Sequence, residues 1–360
     1  MTTGKGGIMA KSAPLTKTPL HGILHGGDLD GARAAFAGAP EPWIDLSTGI
    51  NPWPYPVPTL SADAWTRLPS SAAEEGLRAA AAARYGAPSA GHVAAASGSQ
   101  ALIQLLPRLR APGTVAVLGP TYAEHAACWA AAGHRVMESA SPDELEGDVL
   151  VVVNPNNPDG RVLPADALLA LAARQSARGG WLVVDEAFAD PDPEASVAAA
   201  VGTAPGMEGL LVLRSFGKFF GLAGLRLGVA LAAPGMAEAL RAAVGPWAVS
   251  GPALEVARGA LSDEEWISAT RARLAREADA LDRLLSESGL TVLGGTPLFC
   301  LAASARAPDL YGALGRAGIL VRRFERRNDW LRFGLPPNAA AAARLRAVLQ
   351  EAAVEEKSGS

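Results

Sequence analysis

The stretch VLVVVNPNNPDG, residues 149–160, joins five consecutive apolar residues to a turn rich in asparagine and proline. Three other apolar runs have the same character: TVAVL (114–118), WLVVD (181–185) and LLVL (210–213). Strands buried on both faces show such continuous hydrophobicity, whereas strands with one face in water alternate. Alanine-rich segments that favour helix lie between these runs. The pattern predicts an α/β fold with a large, mostly parallel sheet covered by helices.

The pattern changes after residue 245. The segment SDEEWISATRARLAREADALDRLLSESG predicts a long amphipathic helix that begins with a capping box of Ser262 and Glu265. Shorter apolar pieces follow it, up to WLRFGL, and indicate a smaller α+β domain. We therefore predict four parts: an N-terminal tail and arm that packs on the small domain (1–48), a large domain (49–245), a small C-terminal domain (246–354) and a disordered tail (355–360).

Composition restricts the class of protein. The chain has 360 residues, a net charge of −4 and a single notable basic block, RRFERR, which argues against nucleic acid as the main partner. Cys128 and Cys300 are far apart and lack metal-ligand spacing, so we expect buried thiols in a reducing compartment and no metal site. The chain contains no apolar run long enough for a membrane helix and no secretory signal. These features predict a cytoplasmic protein with a loose N-terminal tail.

Unusual polar groups follow the apolar runs. Tyr122 comes after the first run, Asn157 after the second, Asp185 ends the third, and Lys218 follows the fourth. Ligands of open α/β sheets bind at the carboxyl ends of the strands. The sequence therefore predicts one pocket that contains an aromatic ring, an amide, a carboxylate and a lysine.

The segment SGSQALIQLL adds a candidate phosphate site. Ser97, Gly98 and Ser99 precede an apolar helix, and a helix N-terminus offers free N–H groups to an anion. Pyridoxal phosphate matches this whole set. Its aldehyde needs a lysine to bind covalently, and its ring nitrogen needs a carboxylate. Its flat ring can stack on an aromatic side chain, and its phenolic oxygen can accept from an amide. Its phosphate needs an arginine such as Arg226. We expect burial and the cations Arg214 and Arg226 to lower the pKa of Lys218, which favours the nucleophilic amine.

At these residues the chain resembles the fold-type-I pyridoxal-phosphate enzymes of the class I/II aminotransferase superfamily, over about residues 20–350. The resemblance implies a cofactor site and an arginine for the substrate carboxylate, Arg332 in WLRFGL. The implied cofactor residues are the phosphate loop Ser97, Gly98 and Ser99, the stacking Tyr122, the phenolic-oxygen donor Asn157, the ring-nitrogen partner Asp185, the pair Ser215 and Lys218, and the second phosphate ligand Arg226. Such enzymes are usually homodimers, so the resemblance also implies a dimer.

The segments HGGDLDGA and DLSTGINPWPYP narrow the resemblance to the threonine-phosphate decarboxylases of cobalamin biosynthesis. That resemblance implies that L-threonine O-3-phosphate loses CO2 and yields (R)-1-aminopropan-2-yl phosphate. The distal phosphate of the substrate then needs its own ligands. The candidates are Arg322 in GILVRRF and the segment His25, Gly26 and Gly27, whereas Arg323 should face the other way on a strand.

Two positions depart from the aminotransferase pattern. Phe188 stands where relatives have a tyrosine that donates to the phenolic oxygen, and this change favours the decarboxylases. Leu68 lies near a position where relatives have a tyrosine that reaches the neighbouring subunit; either Tyr55 replaces it or the contact is missing. The alternatives are a histidinol-phosphate-type aminotransferase, a non-catalytic protein of the same fold, and a nicotinamide dehydrogenase, against which the missing GxGxxG motif argues.

Overall fold

The computed structural model describes residue 23, residues 25–203 and residues 205–359, with side chains up to Ala352. The predicted loose tail before about residue 19 lies outside this range. The helices are α1 (Leu29–Ala35), α2 (Ala62–Thr66), α3 (Ser71–Tyr85), α4 (Ser99–Leu105), α5 (Ala123–Ala131), α6 (Ala165–Ser176), α7 (Phe216–Phe219), α8 (Pro234–Val244), α9 (Gly251–Ser262), α10 (Glu264–Glu287), α11 (Ala307–Arg316) and α12 (Ala339–Gly359). The strands are β1 (Ile44–Asp45), β2 (Val93–Ala96), β3 (Thr114–Leu118), β4 (Arg135–Ser139), β5 (Val149–Val153), β6 (Trp181–Asp185), β7 (Leu210–Ser215), β8 (Gly228–Leu231), β9 (Thr291–Thr296), β10 (Phe299–Ala303), β11 (Ile319–Leu320), β12 (Arg322–Phe324) and β13 (Arg327–Gly334).

A seven-stranded sheet forms the centre of the large domain, with the strand order β2-β8-β7-β6-β5-β3-β4. The pairs from β7 to β4 are parallel, and β8 runs antiparallel to both of its neighbours. The predicted strands 114–118, 149–153 and 181–185 have these bounds in the structure, and the fourth extends from 210 to 215. The predicted fold class is confirmed.

Burial on both faces explains the continuous hydrophobicity of the central strands. In β5, Leu150 and Val152 pack into one apolar cluster and Val149 and Val151 into a second cluster on the opposite side of the sheet. All four side chains have no exposed area. Because successive side chains of a strand point to opposite faces, an unbroken apolar run is the expected sequence for a strand between two helical layers.

The smaller C-terminal sheet is antiparallel, with the order β12-β13-β10-β9. The N-terminal segment also contributes to this end of the molecule, because β1 pairs in parallel with β11, Ile44 opposite Ile319. The chain then crosses to the large domain, where the backbone N–H of Asn51 donates to the carbonyl of Lys218. The segment around residues 45–51 therefore lies between the two sheets.

The start of the long helix differs from the sequence prediction. Ser262 is the last residue of α9, and its hydroxyl donates to the carbonyl of Arg258. Asp263 caps α10 instead, since its carboxylate accepts from the backbone N–H of Trp266 at 3.0 Å. A serine already engaged in the preceding helix cannot form the predicted capping box. The buried positions Ile267, Leu274 and Leu281 are confirmed.

The C-terminal segment also differs from the prediction. Helix α12 continues to Gly359, through most of the segment 355–360 that we expected to be disordered. The segment begins with two glutamates and a lysine, which are good helix formers. Both cysteines are buried, as predicted. No helix in the described ranges is long and apolar enough to cross a membrane.

Candidate active site

A cavity of about 760 Å³ opens at the carboxyl ends of the central strands. Its wall combines the strand ends of the large domain, the N-terminal segment around His25 and Thr48, and the β12–β13 hairpin. Most of the predicted site residues line it: His25, Gly26, Ser99, Tyr122, Asn157, Asp185, Phe188, Ser215, Lys218, Arg226, Arg322 and Arg332. Ser97, Gly98 and Gly27 do not face the cavity directly.

Lys218 lies on the short helix α7 directly after β7, and its Nζ donates to the carbonyl of Thr48 at 3.1 Å. Burial lowers the pKa of Lys218 to about 8, and the cations Arg332 and Arg226 act in the same direction. The Phe188 ring lies 5.4 Å from the amine. A larger fraction of the amine is therefore neutral, and able to attack a carbonyl, than for a lysine in water.

The predicted role of Arg214 is wrong. Its guanidinium is buried on the other face of the sheet, 3.1 Å from a carboxylate oxygen of Glu186 and 4.3 Å from the centre of the Tyr85 ring. Asp190 lies 3.7 Å away. Arg214 precedes Ser215 in β7, and adjacent side chains of a strand face opposite sides. Arg332 is the cation that acts on Lys218 instead.

Asp185 has a buried partner that sequence analysis did not identify. Nε2 of His125 lies 2.8 Å from Oδ2 of Asp185, and both side chains are buried. Because a carboxylate only accepts hydrogen bonds, His125 donates. The Ala187 backbone N–H donates to Oδ1 at 3.0 Å. The carboxylate is thus held by two donors and keeps lone pairs for a ring N–H. His125 lies in the first turns of α5, and a titratable residue three positions after Tyr122 was the available indication.

Asn157 and Arg332 form one unit. Nη1 of Arg332 donates to Oδ1 of Asn157 at 2.5 Å, and Nη2 donates to the carbonyl of Ser47 at 2.7 Å. With its oxygen engaged, the Asn157 amide directs its NH2 group elsewhere, which suits a donor to a phenolic oxygen. Burial and the Arg322 cation lower the pKa of Arg332. Its Nε is buried without a partner among the described residues, a donor that an anionic ligand can satisfy.

The three residues of the predicted phosphate loop do not all line the cavity. Ser97 is exposed and its hydroxyl donates to the carbonyl of Ala248, away from the cavity. Gly98 has a φ of +89°, and a Cβ there would lie 2.5 Å from Nη2 of Arg226. The close approach of a guanidinium to this turn therefore requires glycine. Ser99, Ser215 and Arg226 line the cavity, so these residues can form a phosphate site without the Ser97 side chain.

Tyr122 is connected to His25 by a chain of hydrogen bonds. The Tyr122 hydroxyl donates to Oε1 of Gln100 at 3.1 Å, and Nε2 of Gln100 donates to Oε2 of Glu124 at 3.1 Å. Oε1 of Glu124 lies 2.9 Å from Nε2 of His25. Burial raises the pKa of the Tyr122 hydroxyl, so it remains protonated. Neither Gln100, in the quoted segment SGSQALIQLL, nor Glu124, two residues after Tyr122, was predicted from the sequence.

The two glycines after His25 approach the backbone closely. A Cβ at Gly26 would lie 2.4 Å from the Ser47 carbonyl oxygen. The N–H of Gly27 donates to Oγ of Ser47 at 2.7 Å. We expected the segment His25–Gly27 to bind the substrate phosphate, but the backbone N–H of Gly27 is already used by Ser47 and is not free to donate to a ligand. The glycines instead allow the N-terminal segment to pack against the turn after β1.

Arg322 and Arg323 differ in environment. The Arg322 guanidinium is partly buried in the cavity wall, where burial lowers its pKa and the Tyr122 hydroxyl acts in the opposite direction. Arg323 also borders the cavity, but its side chain is exposed and its guanidinium lies over the Tyr311 ring, 5.0 Å from its centre. The two arginines thus differ in burial and in the contact of the guanidinium, although both border the cavity.

Phe188 and Leu68 are the two positions at which the sequence departs from the aminotransferase pattern. Phe188 is buried, and its ring packs edge-on against Phe299 at 5.0 Å between the ring centres. The hydroxyl of Tyr55 donates to Asp263 of the same chain at 3.2 Å. Leu68 is 68% exposed.

The cavity fits pyridoxal phosphate. It combines a lysine with a lowered pKa, a carboxylate held by two donors, an amide with its NH2 group available and an arginine with an orphaned Nε. The turn at Gly98 lets the Arg226 guanidinium approach the start of α4, where a Cβ would lie 2.5 Å from its Nη2. Lys218 and Asp185 line the same cavity, as a cofactor bound covalently at one end and through its ring nitrogen at the other requires.

Comparisons with known proteins agree with this fit. The family model described as aminotransferase class I and II matches residues 58–348. The chain is 48% identical to a threonine-phosphate decarboxylase of Pseudomonas aeruginosa, over 91% of this chain and 97% of the relative. It is 46% identical to a threonine-phosphate decarboxylase of Sinorhizobium sp, over 90% and 96%. The structure of histidinol-phosphate aminotransferase from Sinorhizobium meliloti, in complex with pyridoxal-5'-phosphate, superposes with a TM-score of 0.80 at 20% identity and covers 94% of this chain and 97% of that one.

Proposed function

The chain belongs to the family of class I and II aminotransferases, and from this premise we propose that it is a threonine-phosphate decarboxylase that uses pyridoxal 5'-phosphate. The reaction converts L-threonine O-3-phosphate to (R)-1-aminopropan-2-yl phosphate and CO2, a step of cobalamin biosynthesis. The observation that carries the proposal is the single cavity in which Lys218, Asp185, Asn157 and Arg332 meet, in a chain similar over nearly its whole length to threonine-phosphate decarboxylases.

The cofactor and the protein divide the chemistry. Bound pyridoxal phosphate supplies a covalent acceptor for an amine and an electron sink for the pair left when a bond at Cα breaks. Lys218 provides the amine that holds the cofactor, and its lowered pKa makes that amine nucleophilic near neutral pH. Asp185, oriented by His125, would hold the proton on the ring nitrogen. Asn157, whose oxygen is engaged by Arg332, would donate to the phenolic oxygen through its amide NH2 group.

The choice of the bond that breaks is stereoelectronic. Only the Cα bond perpendicular to the cofactor ring overlaps its π-system. Arg332 binds the substrate carboxylate, and its bonds to Asn157 and to the Ser47 carbonyl fix the direction of its guanidinium. Arg322 and His25 hold the phosphate at the other end of the substrate. Held at both ends by these residues, the substrate would be oriented so that its carboxylate bond, and not its Cα–H bond, is the one that the cofactor weakens.

Phe188 supports decarboxylation over amino transfer. Its ring contributes an apolar wall beside Lys218 and has no hydroxyl that could bind the phenolic oxygen. With the cofactor bound, Asn157 would remain the amide donor to that oxygen, without a second donor at position 188.

The experiment that tests the function compares products. Purified holoenzyme is supplied with phosphothreonine or phosphoserine, and CO2 release is measured beside amino transfer to 2-oxoglutarate. We expect CO2 and (R)-1-aminopropan-2-yl phosphate from phosphothreonine, and a yellow protein that borohydride bleaches by reducing the bond to Lys218. Amino transfer without CO2 would identify a histidinol-phosphate-type aminotransferase. A colourless protein without either activity would contradict an enzymatic role.

We also propose a homodimer in the cytoplasm. Six large apolar side chains are exposed on the described surface, and four of them are more than half exposed: Val57 by 54%, Trp65 by 69%, Leu68 by 68% and Trp247 by 54%. Exposed apolar side chains of this size favour a protein interface. Leu68 also borders a groove of about 290 Å³ between α2, α3 and α9. Sedimentation equilibrium should give twice the mass of the chain; a monomeric mass at micromolar concentration would contradict the dimer.

A further inference from the structure

A buried acid in the cavity wall has no role in the chemistry described above. Glu124 lies in the first turn of α5, and its side chain is 8% exposed. Both of its oxygens are occupied: Oε1 contacts Nε2 of His25 at 2.9 Å, while Oε2 accepts from Gln100 at 3.1 Å and from Cys128 at 3.7 Å. The acid therefore connects the N-terminal segment to the wall that carries Tyr122.

Hydrogen-bond accounting determines which atom donates at each step. The Glu124 carboxylate can only accept, so the Gln100 amide must turn its NH2 group toward Glu124. The oxygen of the same amide then faces Tyr122, whose hydroxyl donates to it at 3.1 Å. By the same rule Nε2 of His25 must carry a hydrogen. Nδ1 of His25 is left as the ring nitrogen without a hydrogen bond among the described residues.

We propose that Glu124 is a positioning residue for substrate recognition: it holds the His25 ring by Nε2–H, so that Nδ1 is the nitrogen presented to the phosphate group of the substrate. This inference rests on the proposed function, in which His25 is a phosphate ligand. His25 needs such support because its side chain is 47% exposed. An exposed imidazole without a partner would sample several rotamers and lose binding energy when it was ordered.

The proposed contact needs no extra reactant. A phosphate monoanion carries a P–OH group that can donate to Nδ1, and a dianion accepts from Nδ1–H of a protonated ring. In both cases one proton lies between the phosphate oxygen and Nδ1. Nε2–H remains on Glu124 in both cases, so the orientation of the ring does not depend on which partner holds the proton.

Variants of Glu124 test the proposal in the holoenzyme. Glu124→Ala should raise KM for phosphothreonine about tenfold, as loss of a charged hydrogen bond does, with kcat changed less than twofold. Glu124→Gln should show a smaller rise, because its amide oxygen can still accept from His25. The double variant with His25→Ala should be no worse than the more impaired single variant, since both remove one interaction. Multiplicative effects would overturn the proposal.

Binding of inorganic phosphate separates this inference from the proposed function. Calorimetric titration of phosphate into holoenzyme should show about tenfold weaker binding for Glu124→Ala, while the cofactor spectrum change caused by L-threonine, which lacks the phosphate, should keep its midpoint. Glu138→Ala is the matched control, because Glu138 lines the same cavity and has no hydrogen bond to His25. Equal weakening of both ligands, or unchanged phosphate binding, would overturn the inference. Wild-type protein that binds phosphate in this way but releases no CO2 would contradict the proposed function alone.

Discussion

For several side chains in this cavity, the hydrogen-bond partners within the protein determine which atoms remain available to a ligand. The Asn157 oxygen accepts from Arg332, so its NH2 group is directed to the ligand. Asp185 accepts from His125 and from the Ala187 N–H, so its carboxylate cannot rotate away from the cofactor ring. Lys218 sits among cations and loses solvation, and both effects favour its neutral form. These contacts orient the side chains of the cavity before a ligand binds.

The lowered pKa of Lys218 predicts how stability depends on pH in the protein without cofactor. The pKa is about 8 in the folded chain and near 10.5 in the unfolded chain, so the unfolded chain binds more protons between these values. The free energy of unfolding should therefore rise with pH across this window, by at most about 3 kcal/mol because Lys218 keeps some exposure. Urea unfolding at several pH values measures it. Lys218→Met should remove this part of the slope, and parallel curves for the two proteins would contradict the prediction.

The contrast between Arg322 and Arg323 gives a second prediction for single residues. Arg322→Ala should raise KM for phosphothreonine tenfold or more, because a charged hydrogen bond contributes roughly 1.5–3 kcal/mol. Arg323→Ala removes the same charge from the neighbouring residue, whose guanidinium lies over Tyr311. It should leave KM within about twofold in steady-state assays of CO2 release. An unchanged KM for Arg322→Ala would remove this arginine from the substrate site.

Among the elements, the junction of α9 and α10 shows how one residue decides where a helix begins. Asp263 accepts from the Trp266 N–H and also from the Tyr55 hydroxyl. Its carboxylate thus caps α10 and attaches the segment before α2 to it. The Ser262 hydroxyl donates to the carbonyl of Arg258 in the preceding helix and therefore does not cap α10. The junction places the Trp266 ring against Phe219 and Phe220, close to Lys218 in the chain.

Loss of this cap has a measurable cost. Asp263→Ala should lower the free energy of unfolding by about 1–2 kcal/mol, the usual cost of removing an N-cap, because the first turn of α10 then lacks an acceptor. Ser262→Ala should change it by less than about 0.5 kcal/mol. Chemical denaturation of both variants provides the comparison. A larger loss for Ser262→Ala than for Asp263→Ala would restore the capping box that the sequence suggested.

At the scale of the whole molecule, the loop after β5 and the strand β9 touch through glycines. A Cβ at Gly160 would lie 1.9 Å from the carbonyl oxygen of Gly295, and a Cβ at Gly294 would lie 2.4 Å from the carbonyl oxygen of Asp159. The loop carries Asn157, and β9 belongs to the small sheet. Close backbone contact between the two parts of the chain therefore helps to hold Asn157 opposite Arg332.

A side chain at this contact should separate the two parts. Gly160 has a φ of +72°, so Gly160→Ala adds backbone strain to a clash with main-chain atoms, and we expect a loss of several kcal/mol in unfolding free energy with a higher KM. Gly179→Ala is the matched control: its φ is +67° and no atom lies within 4 Å of the added Cβ. It should cost about 1 kcal/mol. Equal losses in thermal or denaturant unfolding would show that strain alone matters.

The local part of the fold could be predicted from the sequence. Continuous apolar runs identified β3, β5 and β6 to the residue, because burial on both faces leaves a pattern that needs no knowledge of the partner strand. The polar residues at the strand ends were equally visible, since parallel strands bring their carboxyl ends to one edge. The hydrogen-bond partners of two serines were not predicted. The hydroxyl of Ser97 donates to a carbonyl away from the cavity, and that of Ser262 donates to a carbonyl in the preceding helix.

By itself the sequence of this protein determined which strands form, which groups stand at their ends and which cofactor those groups can hold. Only the tertiary structure decided the partners: His125 for Asp185 at a separation of 60 residues, Glu124 for His25 at 99, and Glu186 for Arg214 on the opposite face of the sheet. Patterns along a chain record whether a position is buried. They do not record which distant side chain meets it there, because that depends on how the strands and loops are packed in three dimensions.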